Sequence, residues 1–139
     1  MKQTMKLFLL LWATILLPFT TLNAQTVWDG SVAESFAGGT GTQDDPYLIS
    51  DGAELAYLAQ ITNADEDGSQ TKDKFFKLTA DIVLNRDVLK VDFTPNGTPK
   101  NIWTPIGESA HRFFGNFDGG KHRIYGPYMP NSQTISIKA

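Results

Sequence analysis

The sequence predicts a small, mainly β fold with one short helix. After an apolar leader the chain offers only brief runs of β-branched and aromatic residues, and glycine-rich or Asp-containing corners separate those runs. One stretch alone, beginning at Asp51, repeats its apolar residues at helical spacing. Strands this short suit a small β-sandwich, a β-barrel or the start of a β-solenoid, and periodicity by itself does not choose among the three.

Residues 1–24 read as a secretory signal peptide. Lys2 and Lys6 give a positive start, "LFLLLWATILLPF" an apolar centre, and Leu22-Asn23-Ala24 a small-residue exit before Gln25. The apolar centre is short for a membrane span and no second such run follows, so the expectation after cleavage is no membrane insertion. Residues 25–139 are then a single small β-rich domain.

The mature chain opens with "QTVWDGSVAESFAGGTGTQDD", in which Trp28 and Phe36 can pin the segment to the body while its glycines let it turn. Tyr47 to Ile49 is a short strand candidate begun by Pro46, a residue suited to a strand's start or edge. Asp51 can cap a helix of about three turns. Glu54 stands three positions on, and Leu55, Leu58, Ala59 and Thr62 fall on one face. The polar loop Asn63 to Lys74 ends it. "FFKLTADIVL" supplies two β segments, Phe75 to Thr79 and Ile82 to Leu84, with Asp81 placed to cap the corner between them through nearby amides. A long loop from Asn85 to Lys100 leads to "NIWTPIG", where Trp103 and Ile106 are inward anchors and Pro105 limits any strand to a short or edge one. Further strand candidates are Arg112 to Phe117, His122 to Tyr125, and "QTISIKA", with Ile135 and Ile137 on one face.

Charge and cysteine content narrow the function. The formal charge is -3, and removing the leader's lysines makes it more negative, which disfavours a nucleic-acid partner. There is no cysteine. A small secreted eukaryotic domain would lean on disulfides, so the setting that fits is the bacterial envelope or extracellular space. There Asn96-Gly97-Thr98 is a polar turn, not a glycosylation site.

No constellation of reactive residues stands out. Asp65 and Asp67, flanking Glu66 before Gly68, are the weak candidates for a calcium ion, but the distal glutamate of an EF-hand loop is missing and a solvated acidic loop is the simpler reading. His111 and His122 flank the glycine-rich turn with Asp118 between them, without a zinc-protease motif, serine elbow or cysteine nucleophile. Asp81, Asp87 and Asp118 permit a drawn carboxylate pair that nothing supports, and "GGTGTQ" lacks the lysine of a phosphate loop. The chain therefore reads as non-enzymatic, with no catalytic residue, metal or cofactor. Arg123, Tyr125 and Tyr128 form a possible contact surface for a glycan or a protein.

The ordered pieces "FAGGTGTQDDPYLISDGAELAYLAQ", "FFKLTADIVLN", "NIWTPIG" and "FFGNFDGGKHRIYG" resemble the opening and capping region of surface proteins of Bacteroidetes and related bacteria, which are built on parallel β-helix rungs with GLUG-type repeats. The resemblance spans Trp28 to Gly126. It implies the first turns of a right-handed parallel β-helix, in which Trp103 and Ile106 fill the core and Gly115 lets backbone layers approach. Asp118, Gly119 and Gly120 would make a corner, and Phe117 and Ile124 would point inward. The implied role is adhesin-like: an exported, cell-surface or secreted module acting in contact or assembly. After Gly126 only "PYMPNSQTISIKA" follows, so the expectation is a truncated solenoid start, with a last strand edge that can self-associate.

Overall fold

The computed structural model describes residues 25–130 apart from Phe93, Pro95 and Thr98. The expected leader, 1–24, and the strand candidate 133–139 lie outside the described residues. The fold is a small, mainly β domain carrying one helix and two small parallel sheets. In chain order the elements are β1 (Tyr47–Ile49), α1 (Gly52–Asn63), β2 (Phe75–Leu78), β3 (Ile82–Val83), β4 (Asn116–Asp118) and β5 (Ile124–Tyr125).

Helix α1 forms where the sequence places it, for the expected reasons. The Asp51 carboxylate accepts from the Glu54 N–H at 2.9 Å. Glu54 reaches back one residue further than a capping box requires, accepting from the Ser50 N–H at 2.6 Å. Leu55, Leu58, Ala59 and Thr62 are all buried, and the Thr62 hydroxyl is satisfied by the Leu58 carbonyl at 2.7 Å.

All strand pairing between the named strands is parallel. One sheet has the order β1-β2-β4, the other pairs β3 with β5, and Val27 adds a parallel bridge to Val83 at the far side of β3. Parallel neighbours need long crossovers. Helix α1 supplies the one from β1 to β2, and the segment from Leu84 to Gly115 carries the chain from β3 to β4. The path from β2 to β3 is thus repeated by β4 to β5, with Phe76 opposite Phe117 and Ile82 opposite Ile124.

The second corner is one residue longer than the first, because Lys77 and Ile82 lie five apart whereas their partners Asp118 and Ile124 lie six apart. Left-handed backbone at Gly120 (φ 55°) and Lys121 (φ 67°) takes up the extra residue. Asp118 and Gly119 complete this turn. The Asp118 carboxylate accepts from the Gly120 N–H at 2.8 Å, and the Gly119 carbonyl accepts from the His122 N–H at 2.7 Å.

The core lies between the sheets and α1 and is made of Ile49, Leu55, Leu58, Phe76, Leu78, Ile82 and Leu84. Phe36 closes it on the N-terminal side, stacking on Tyr47 at 4.8 Å and meeting Phe76 edge-on at 5.5 Å. Trp103 is buried and packs edge-on to Trp28 at 5.7 Å, and Ile106 is partly buried against the same core.

Residues 103–106 form no strand. Pro105 has no N–H to give a ladder, and the segment is held instead by α1: the Asn63 side chain donates to the Pro105 carbonyl and accepts from the Gly107 N–H, both at 2.9 Å. The strands read as Arg112 to Phe117 and His122 to Tyr125 shorten to Asn116–Asp118 and Ile124–Tyr125. Gly115 sits where layers approach: a Cβ there would stand 2.8 Å from the Phe76 ring and 2.9 Å from the Thr71 carbonyl.

Two buried asparagines tie the turns of the chain together. Asn85 donates to the carbonyls of Asn101 and Gly126 at 2.8 and 3.0 Å, and its side-chain oxygen accepts from the Asn101 N–H at 2.9 Å. Asn101 in turn donates to the carbonyls of Trp28 and Leu84.

Candidate functional site

Stacking β5 on β3 gathers a polar cluster at the outer corner. Asp81 follows β2 and is half-buried, and its carboxylate accepts from the Arg123 N–H at 3.0 Å. His122 Nδ1 lies 3.3 Å from the same oxygen, and the Tyr125 hydroxyl donates to the other at 3.4 Å. Arg123 then reaches the Tyr125 hydroxyl at 3.5 Å. The sequence places Asp81 as a cap for nearby amides; in the structure it caps the amide of the next turn, so one carboxylate locks two layers.

This lock has a pH dependence. The Arg123 amide chiefly, with the His122 and Tyr125 side chains, outweighs partial desolvation and holds the Asp81 carboxyl below its ordinary range. A depressed carboxyl contributes stability that is present above its unfolded pKa and lost as pH falls through the folded value. In urea titrations from neutral to acid pH, wild type is expected to exceed Asp81→Asn in stability at neutral pH and to lose that advantage below the ordinary aspartate range. An advantage that grows on acidification would show that Asp81 does not act as its ionised form.

Of the proposed contact residues, Arg123 and Tyr125 come together at this corner. Tyr128 lies apart from the Asp81 corner, its carbonyl accepting from the Trp103 N–H at 2.8 Å. His111 pairs with Glu108 at 2.9 Å within its own turn, so the structure does not bring the two histidines to one carboxylate. The acidic loop is internally satisfied: Asp65 is buried and accepts from the Gln70 N–H at 2.6 Å, and Asp67 accepts from the Ser69 N–H at 3.0 Å. Among the described residues, no group of three or more His, Asp or Glu side chains is placed to hold a metal ion.

Phe117 and Ile124 occupy the same ladder positions as Phe76 and Ile82, yet their burial differs sharply. Phe76 and Ile82 are 1% and 2% exposed, whereas Phe117 and Ile124 are 40% and 39% exposed. Residues opposite each other in a parallel ladder point to the same side of the sheet, so the difference comes from what stacks above them. An apolar end face results, with Tyr125 beside it.

No family model matches the sequence, and no solved structure matches it. A stretch of 94 residues, 68% of this chain, is 36% identical to part of a protein of Evansella cellulosilytica provisionally named a Gly-rich membrane protein. The chain spans 9% of that protein's length. Among the described residues of this chain, no helix is long and apolar enough to cross a membrane.

The cluster around Asp81 is the part of the site that sequence reasoning missed. Its signal lay in the likeness of "FFKLTADIVL" to "FFGNFDGGKHRIYG": laying one over the other puts Asp81 level with the residues just before Ile124. Asn85 and Asn101 gave no such signal, because isolated asparagines read as loop residues.

Proposed function

We propose that this chain folds as the start of a right-handed parallel β-solenoid and works as an exported bacterial surface or extracellular module. Its role is non-enzymatic, adhesin-like contact or assembly. The observation that carries this reading is the repetition of β2-to-β3 by β4-to-β5, in register in both sheets. One repetition of that kind is the unit from which a solenoid is built. The match to part of a protein with a membrane name suits an envelope location. The side chains that would be drafted for chemistry are spent on structure: Asp81 on the corner, Asp118 on the turn, Asp65 on its loop.

A carbohydrate-binding module is the second reading, favoured by the exposed pairing of Arg123 with Tyr125. The test is surface labelling of intact cells of the source bacterium with antibody raised against residues 25–130, together with sequencing of the mature N-terminus. Labelling that is removed by external protease, on a protein beginning at Gln25, is expected. A protein confined to the cytosol with residues 1–24 intact would overturn the surface role. Glycan-array binding abolished by Tyr125→Ala would favour the second reading over assembly.

A further inference from the structure

We infer that the end face of β4 and β5 binds a second copy of this chain tail to tail, forming a closed dimer and not a filament. The inference deepens the assembly reading and rests on it. Phe117 and Ile124 stand in columns whose previous members are buried, so the face already has the composition and spacing of a core layer. Among the described residues, β4 and β5 each pair with one neighbouring named strand, and an outer edge of that kind is a template for another strand.

What selects the partner is the state of the opposite end. There the N-terminal segment folds over β1: Leu48 exchanges backbone hydrogen bonds with Ala37 at 3.1 Å and Gly38 at 2.9 Å, and Phe36 covers Tyr47. On the other sheet the Trp28 N–H donates to the Val83 carbonyl at 2.8 Å. A head-to-tail contact would have to strip this segment off, so repeated stacking into a fibre is blocked. A tail-to-tail contact uses one self-complementary face on both copies and stops at two.

The charges on β4 agree with that symmetry. Antiparallel pairing about a two-fold axis at Phe117 sets the two Phe117 rings against each other and each Asn116 opposite an Asp118, so no like charges face directly. Lys77, 3.9 Å from Asp118, offsets that carboxylate within each copy.

The absence of native cysteine makes the test site-specific. In Phe117→Cys the two thiols would lie directly opposite, within the reach of a disulfide, whereas Glu34→Cys lies on the sealed N-terminal segment. Under mild oxidation of the purified full chain, Phe117→Cys is expected to give a covalent dimer at least tenfold faster than Glu34→Cys. Light scattering across a concentration series is expected to show monomer and dimer only for the wild type, and monomer for Ile124→Asp with an unchanged circular dichroism spectrum. A monomer at every concentration, the outcome if part of the same chain covers this edge, would overturn the inference. So would species growing beyond two copies, or equal cross-linking at both positions. A monomeric chain still found on the cell surface would sink the dimer and leave the surface role standing.

Discussion

Asn85→Leu is expected to lower the free energy of unfolding by about 4 kcal/mol, although the substitution keeps the branching of the side chain and is more apolar. Asn85 serves three backbone groups: the N–H and carbonyl of Asn101 and the carbonyl of Gly126. Leucine serves none of them. Each buried group left without a partner costs about 1–3 kcal/mol, while the gain from the larger apolar side chain is small in a site shaped for an amide. The network also reaches outward, since Asn101 holds the carbonyls of Trp28 and Leu84. Losing Asn85 therefore loosens the N-terminal segment, the end of β3 and the turn after β5 together. Urea unfolding with an unchanged slope and a lowered midpoint is the expected readout. A loss below about 1 kcal/mol would mean that water replaces the amide and that the network is not dry.

The helix was legible because every local signal for it agrees: a capping Asp51, a first-turn Glu54, and apolar residues at one angular position. The short strands were legible as β segments, but their partners were not. Parallel pairing is decided by crossovers of many residues, and nothing local to Phe76 names Phe117 as its neighbour. The same cause hid the Asp81 corner. An aspartate before a strand reads as a cap for its own turn, whereas the amide it captures belongs to Arg123, 42 residues on. "NIWTPIG" misled in the opposite direction. Trp103 and Ile106 do pack on the core while Ile102 is exposed, but inward-facing residues do not make a strand when a proline interrupts the ladder and a helix side chain, Asn63, supplies the hydrogen bonds instead.

Burial sharpens the reading of "FFGNFDGGKHRIYG". Spacing alone treats Phe117 and Ile124 as core residues, and their ladder positions place them on the core side of the sheets. Their exposure shows that a residue can face the right way and still lack a layer to pack on. That distinction separates an ordinary turn from an end face. It explains how one stretch can hold a structural corner, at Asp118 to Gly120, and an exposed apolar face, at Phe117 and Ile124.

Gly126→Ala is expected to destabilise the protein by about 3 kcal/mol, through two effects that a second glycine separates. Gly126 has φ 65°, and a Cβ there would stand 2.1 Å from the Asn85 carbonyl oxygen, a backbone atom that cannot swing aside. The left-handed backbone alone costs an L-residue about 1–2 kcal/mol, and forcing layers apart adds about 1–3 kcal/mol. Gly97 isolates the first effect, with φ 70° and, among the described residues, nothing within 4 Å of an added methyl; Gly97→Ala is expected to cost about 1 kcal/mol. If both substitutions cost the same, the two turns do not approach as closely as the Gly126–Asn85 geometry requires. Combining Gly126→Ala with Asn85→Leu tests the network itself. Both act on the contact between residue 85 and residue 126, so the double variant should lose less than the sum of the single losses. Strict additivity would mean that the amide ladder and the close backbone approach are separate features.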